Sequence, residues 1–293
     1  MRRAAIVSPI RTGVGRFGGS LAGFPAGELG AIILKELMAR TKIDPARVDD
    51  VVFAHGYPNG EAPCVARWSW LAAGFPESVP GVSLDRRCGS GLQAVIDASM
   101  RVATGAADIV VAGGVESMSR TVMGYDSGAW TSDPDVAFHN HYAPQGIGAD
   151  MIATLDGFTR KDVDGFAAES QRRAAQSWAE GRFNGAIVPV KDVIGEVLLD
   201  HDEHMRPGTT VESLGKLKAA FEGLGKGGFE NVAKARYPEI EELSYVHHGG
   251  NSSGIVDGSG IVMIGSKEFG ERAGMKPRAR IVSYASMGSE PTI

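Results

Sequence analysis

A single thiol stands in the segment of this chain best suited to chemistry, Asp85-Arg86-Arg87-Cys88-Gly89-Ser90-Gly91-Leu92-Gln93-Ala94-Val95. Residues 81–84 read as a short apolar strand, and Leu92, Val95, Ile96, Ala98, Ser99 and Val102 recur at helical spacing from Gly89 onward. Cys88 therefore falls between a strand and the start of a helix. There, unpaired backbone N–H groups and the positive end of the helix dipole favour a thiolate, which lowers the pKa and raises the reactive fraction. Arg86 and Arg87 push the same way if they face the sulfur. The chemistry this implies is covalent, with Cys88 as the nucleophile. A buried, inert cysteine is the bland alternative.

The other candidates are weaker. His247 and His248 precede the turn Gly249-Gly250-Asn251, and a Cys/His pair can activate a thiol if the two meet in space, although a turn histidine without a catalytic role is the commoner case. His201-Asp202-Glu203-His204, like His139 with His141, lacks the pattern of a third ligand and reads as solvated polar surface, so no metal is expected. Cys64 has no flanking activator except Arg67. Gly13-Val14-Gly15-Arg16-Phe17-Gly18 fits the dinucleotide pattern G-x-G-x-x-G, yet Pro9 interrupts the strand exit. Residues 20–25 then read as loop where a helix N-terminus would have to hold the pyrophosphate, which disfavours an NAD(P) oxidoreductase.

The elements that must position these residues alternate. Strands are expected at 4–7, 51–54, 81–84 and 109–112, with helices at 26–40 (apolar Leu29, Ile32, Ile33, Leu37, Met38), 62–73 and after Cys88. That order implies an α/β layered sheet. A middle block, about 117–248, is irregular apart from a helix at 162–180, and reads as an insertion that closes over something. The last block has an apolar run at 261–264, a short helix near 267–273 and a strand at 280–284. An echo joins the two ends: Arg3-Ala-Ala-Ile-Val-Ser8 matches Arg278-Ala-Arg-Ile-Val-Ser283 at five of six positions, as if a second copy of the fold begins there.

Five ordered motifs give the chain a resemblance to the thiolases, enzymes that make or cleave β-ketoacyl-CoA thioesters. The Cys88 run resembles the family's nucleophile motif. Ser8-Pro9-Ile10-Arg11-Thr12 with Gly15-Arg16-Phe17-Gly18-Gly19 looks like its opening strand and loop, and residues 108–120, DIVVAGGVESMSR, look like its strand and turn into the loop domain. Residues 206–221 resemble its coenzyme A-binding segment, and 250–258 the return from that domain.

The resemblance implies a thiolase-like layered fold with an inserted loop domain and a second α/β half largely missing from this chain. The implied boundaries are 1–117 for the first part of the N-terminal half, 118–248 for the loop domain, 249–276 for the end of that half and 277–293 for the start of the second. It implies ping-pong acyl transfer with Cys88 as nucleophile, acyl-CoA and coenzyme A as substrates, no permanently bound cofactor, and contacts to coenzyme A from Arg206, Ser213, Phe221 and Ser253. It also implies a homodimer or homotetramer, and places Cys64 near the subunit contact, as packing. The family's remaining acid/base groups lie on Asn-Glu-Ala-Phe, Gly-His-Pro and Cys-X-Gly motifs that do not occur in these residues. Residues 222–245 are longer than the short turn of many members. A non-catalytic carrier or interaction protein on the same fold is the alternative.

Composition sets outer limits. At 293 residues and 43% hydrophobic content the chain can bury a substantial core. Its net charge of −5 argues against a nucleic-acid partner while leaving room for a local basic patch. No apolar run approaches a membrane span, and the N-terminus does not read as a signal peptide. Two cysteines make no disulfide framework, and the terminal Glu290-Pro291-Thr292-Ile293 is no peroxisomal address, so a reducing cytoplasm is expected.

Overall fold

The computed structural model describes residues 4–121, 123–125 and 128–293; Arg3, the first residue of the echo, lies outside them. Contacts divide the chain into two compact units. One comprises Met1–Asp126, Phe183–His204 and Ile255–Ala285, the other Ser127–Arg182, Met205–Gly254 and Ser286–Ile293.

The first unit is built on strands β1 (Ala4–Ile6), β2 (Ile10–Thr12), β3 (Gly15–Arg16), β4 (Asp50–Ala54), β5 (Gly81–Leu84), β6 (Ile109–Ser117), β7 (Ile187–Val188), β8 (Val190–Lys191), β9 (Val197–Leu199), β10 (Val256–Ser266) and β11 (Ala279–Arg280). The main sheet runs β11-β1-β10-β6-β4-β5, with β2 and β3 paired to β10 and β7 paired to β2, while β8 and β9 pair separately. Strands β6, β4 and β5 are parallel and β10 is antiparallel to β6. Parallel neighbours require crossovers. Helix α2 (Val65–Ala72) joins β4 to β5 and α3 (Ser90–Thr104) joins β5 to β6, with α1 (Ala26–Thr41) ahead of β4.

Both faces of the sheet are covered, which explains the continuous apolar runs of β4 and β6. Successive strand residues alternate between two cores. Val51, Phe53, Ile109 and Val111 pack with Leu29, Ile33, Leu34 and Trp70 of α1 and α2. Val52, Val110 and Ala112 pack with Ala94, Ala98 and Val102 of α3. Each large side chain buried this way contributes roughly 1.5–3 kcal/mol. Gly113 of β6 leaves no room for a side chain against β10: at φ +150°, a Cβ there would sit 2.2 Å from the Gly260 carbonyl oxygen.

The expected strand at 280–284 shrinks to Ala279 and Arg280. Its partner β1 is only three residues long, and beyond the pairing Val282 and Tyr284 are exposed. The two halves of the echo thus meet as antiparallel neighbours.

The second unit holds helices α4 (Ala129–Ser132), α5 (Pro134–His139), α6 (Gln145–Asp156), α7 (Arg160–Ala179) and α8 (Val211–Leu214), followed by a helical run at 222–236. Helix α7 starts at a reciprocal capping box between Thr159 and Asp162. A small core of Ala143, Ile147, Met151, Ala233 and Leu243 takes Phe221 and Tyr245 against it. Among the described residues no helix is long and apolar enough to cross a membrane.

Candidate active site

Cys88 lies in a single 3-10 turn, Arg87–Gly89, between β5 and α3. The turn is shaped by its neighbours. Arg87 adopts φ +47°, a left-handed conformation costly for a residue with a side chain. Three contacts hold it there: the Arg87 N–H donates to Asp85 Oδ1 at 2.7 Å, the Arg86 N–H donates to Ser90 Oγ at 2.6 Å, and Ser90 Oγ–H donates to the Arg87 carbonyl at 2.6 Å. Ser90 is buried, so its hydroxyl acts as a staple under the turn. Cys88 itself is exposed.

The flanking arginines have other engagements. Arg86 Nη1 donates to Gln93 Oε1 at 2.5 Å, while Arg87 Nη1 donates to the Gly56 carbonyl at 2.8 Å and its guanidinium lies 5.5 Å from the centre of the Tyr57 ring. Cys64 is also exposed and also precedes a helix, as the cap of α2, so a helix start alone does not single out Cys88. The difference is that the Cys64 thiol donates to the Gly81 carbonyl at 3.4 Å and the helix behind it has 8 residues against the 15 of α3.

The turn sits where the parallel strands β4, β5 and β6 end, the edge at which open α/β sheets place their ligands. His55 follows β4, Asp85 follows β5, and Glu116 is near the end of β6. His55 escapes a sequence reading because no local pattern marks it. The usable signal is the register, which sets Ala54 opposite Gly114 and so brings His55 beside Val115 and Glu116.

The glycine loop 13–18 already has its anions. Val14 N–H donates to Asp202 Oδ1 at 2.9 Å, and the N–H groups of Arg16 and Ser20 both donate to Glu203 Oε2 at 3.1 Å. Arg11 clamps Asp202 through both terminal nitrogens, at 2.6 and 2.9 Å. The acids of His201-Asp202-Glu203-His204 thus serve as braces for this loop, in the place where a dinucleotide would need free N–H groups. Among the described residues no three His, Cys, Asp or Glu side chains come together as a metal site.

In the second unit, α7 is tied to the segments that hold Ser213 and Ser253 through the buried carboxylate of Asp164. Asp164, buried on α7, accepts from Arg160 Nε at 2.8 Å and from Asn251 Nδ2 at 2.9 Å, and lies 2.8 Å from His248 Nε2. Arg160 also donates to the carbonyls of Leu214 and Leu217, at 2.7 and 2.8 Å. Gly250 is set close against the same two leucines. Because the Gly250 N–H donates to His248 Nδ1 at 3.0 Å, His248 carries its proton on Nε2 and both nitrogens are in use. His247 Nδ1 lies 2.6 Å from Oδ1 of the buried Asp150.

The four expected coenzyme A contacts differ in what they offer. Arg206 and Ser253 are exposed, and the Arg206 backbone N–H donates to Gln171 Oε1 at 2.9 Å. Ser213 completes a capping box with Thr210, donating to the Thr210 carbonyl at 2.8 Å. Phe221 is half-buried, its ring lying over Gly146.

The fold and this turn define a class: an α/β protein with a cysteine presented at a strand–turn–helix junction on the carboxyl edge of its parallel strands, joined to a mainly helical insertion. Comparison with known proteins identifies it further. Residues 4–232 match the family model for the thiolase N-terminal domain, and the chain belongs to the thiolase family. It is 38% identical to a beta-ketoadipyl-CoA thiolase of Escherichia coli, over 100% of this chain and 73% of that protein. It is 37% identical to an acetyl-CoA acetyltransferase of Allochromatium vinosum, over 98% of this chain and 72% of that protein.

Proposed function

We propose that this chain serves thiolase-type acyl transfer, with Cys88 as nucleophile and a β-ketoacyl-CoA or acetyl-CoA as acyl donor. The Cys88 thiolate attacks the donor carbonyl. With a thioester donor, a new C–S bond forms to Cys88 while the bond to the coenzyme A sulfur breaks, and coenzyme A leaves as its thiolate. With a β-ketoacyl donor, attack at the keto carbon releases acetyl-CoA as its enolate, which takes up a proton, and free coenzyme A then removes the acyl group from the enzyme. The observation that supports this most is the exposed Cys88 on its Ser90-stapled turn at the end of the parallel strands, in a chain of this family. Arg206, Ser213, Phe221 and Ser253 are assigned to coenzyme A, with the exposed Arg206 meeting a phosphate and the Phe221 ring lying along the pantetheine arm. The setting is a homodimer or homotetramer in the cytoplasm, where both cysteines stay reduced.

The test is acyl trapping. Incubation with acetyl-CoA or acetoacetyl-CoA, acid quench and peptide mass mapping should place one acetyl group on Cys88 and none on Cys64, and Cys88→Ser should abolish it. An acyl group on Cys64, or on neither, would favour a non-catalytic protein on the same fold.

A further inference from the structure

His55 is a buried ionisable group connected to the nucleophile turn through Glu116 and Gly56, and it takes no part in the acyl-transfer steps. Its backbone N–H donates to the Leu84 carbonyl at 3.1 Å, and the residue is 3% exposed. Nδ1 lies 3.2 Å from the Val115 carbonyl oxygen, with Glu116 Oε1 alongside at 3.0 Å. A carbonyl only accepts, so Nδ1 carries a proton. Nε2 is buried without a hydrogen-bond partner among the described residues.

The contacts continue to the turn. Glu116 Oε2 accepts from the Gly56 N–H at 2.9 Å. Gly56 lies so near the strained residue before Cys88 that a Cβ on it would be 3.1 Å from the Arg87 carbonyl oxygen, and Arg87 Nη1 bonds back to the Gly56 carbonyl. The charged groups facing this region are Glu116 from β6 and Asp85 and Arg87 from the turn. Burial pushes the His55 imidazole down, but Glu116, by contact and by charge, together with the Val115 carbonyl and Asp85, more than offsets this and holds it above the ordinary histidine value.

The protonation state of His55 therefore changes what the turn faces. With the imidazolium in place, the His55–Glu116 pair is neutral. With the neutral ring, Glu116 stands as an uncompensated carboxylate beside a turn that has to carry a thiolate. We propose that His55 is a positioning residue for Cys88, compensating Glu116 and holding Gly56 against Arg87 so that the nucleophile turn meets a neutral pair. This rests on the assignment of Cys88 as nucleophile.

The experiment is the pH profile of Cys88 alkylation by iodoacetamide, followed by peptide mapping from about pH 5 to about pH 9, with His55 titrated in parallel by the NMR signal of its ring Cε1–H. His55→Asn keeps a side-chain N–H for Val115 without a titrating charge. In the wild type the logarithm of the rate should climb less steeply across the pH range in which the His55 signal titrates, because losing the imidazolium opposes thiolate formation. In His55→Asn that shoulder should vanish and the acidic limb should fall on the order of threefold, while the two proteins converge at alkaline pH. A wild-type-like profile in folded His55→Asn overturns the proposal. If that variant does not fold, Glu116→Gln decides: it should move the shoulder and the His55 titration together to lower pH, and an unmoved shoulder overturns the proposal. Equal alkylation of Cys88 and Cys64 in the wild type would instead remove the nucleophile assignment, and this inference with it.

Discussion

Replacing Asp164 with alanine should loosen the segments assigned to coenzyme A from a distance. The carboxylate is 1% exposed and receives Arg160, Asn251 and His248 within 2.9 Å. Hydrogen bonds to charged groups contribute about 1.5–3 kcal/mol each, and a buried donor left unpaired costs about 1–3 kcal/mol. The Arg160 side chain is 28% exposed and can turn to water, so its share is discounted. His248 cannot, since Asp164 is the acceptor for its buried Nε2–H. The sum is a loss of roughly 3–5 kcal/mol, in the range found when one partner of a buried pair is removed. Asp164→Asn keeps an acceptor and should lose less than half of that.

The effect should be local to the second unit, so a single melting temperature is a poor readout for a chain of two units. Hydrogen exchange by mass spectrometry should show faster exchange in 211–221 and 246–254, with β4 and β6 unchanged. Coenzyme A affinity by calorimetry should fall roughly tenfold, because the ligand must then order both segments. Unchanged exchange in these two segments would refute the reasoning, and an unchanged affinity beside altered exchange would take coenzyme A away from them.

Other perturbations address single contacts. Arg206→Ala should weaken coenzyme A binding with no change in hydrogen exchange of the unliganded protein, since the side chain is exposed and the backbone bond to Gln171 survives the substitution; calorimetric titration checks this. Burial pushes the Glu203 carboxyl up, but the N–H groups of Ser20 and Arg16 and the Ser20 hydroxyl outweigh it and hold it below the usual glutamate value. Its bracing of the glycine loop should be complete above the unfolded-state pKa and fade as pH falls through the lower folded value, which exchange rates of residues 14–20, corrected for intrinsic pH dependence, would show. The shallow depression of about 330 Å³ lined by Ile10, Gly91, Val95, Ile261 and Val262, with Leu92 68% exposed on the same helix, should bind a hydrophobic dye in these 293 residues, and a dye titration without signal would contradict that.

The parts of the fold legible in the sequence are those whose signal is local. Strand β5 and the helix after Cys88 are marked by apolar spacing over a few residues, and β4 by an unbroken apolar run, which suits a strand covered on both faces. Helices α5 and α6 lack such a mark, being short or glycine-rich, and α6 takes partners as distant as Leu243 and Val246. The strand expected at 280–284 fails for the opposite reason: the residues suit a strand, but β1 pairs only with Ala279 and Arg280.

Histidines show the same limit more sharply, because their chemistry is set by what the second ring nitrogen meets. His248 looks like a candidate base by type and position, yet the Gly250 N–H holds one nitrogen and Asp164 the other, so a proton taken or given there would break the link between α7 and the return segment. His55 has no motif around it, but its register against β6 supplies a carboxylate on one side and leaves the other nitrogen without a partner among the described residues. A histidine whose two nitrogens are both satisfied is a clamp. One that is buried, charge-paired and half-satisfied can change state with pH at modest structural cost, and here the residue that follows it, Gly56, sits against the turn that presents the thiol.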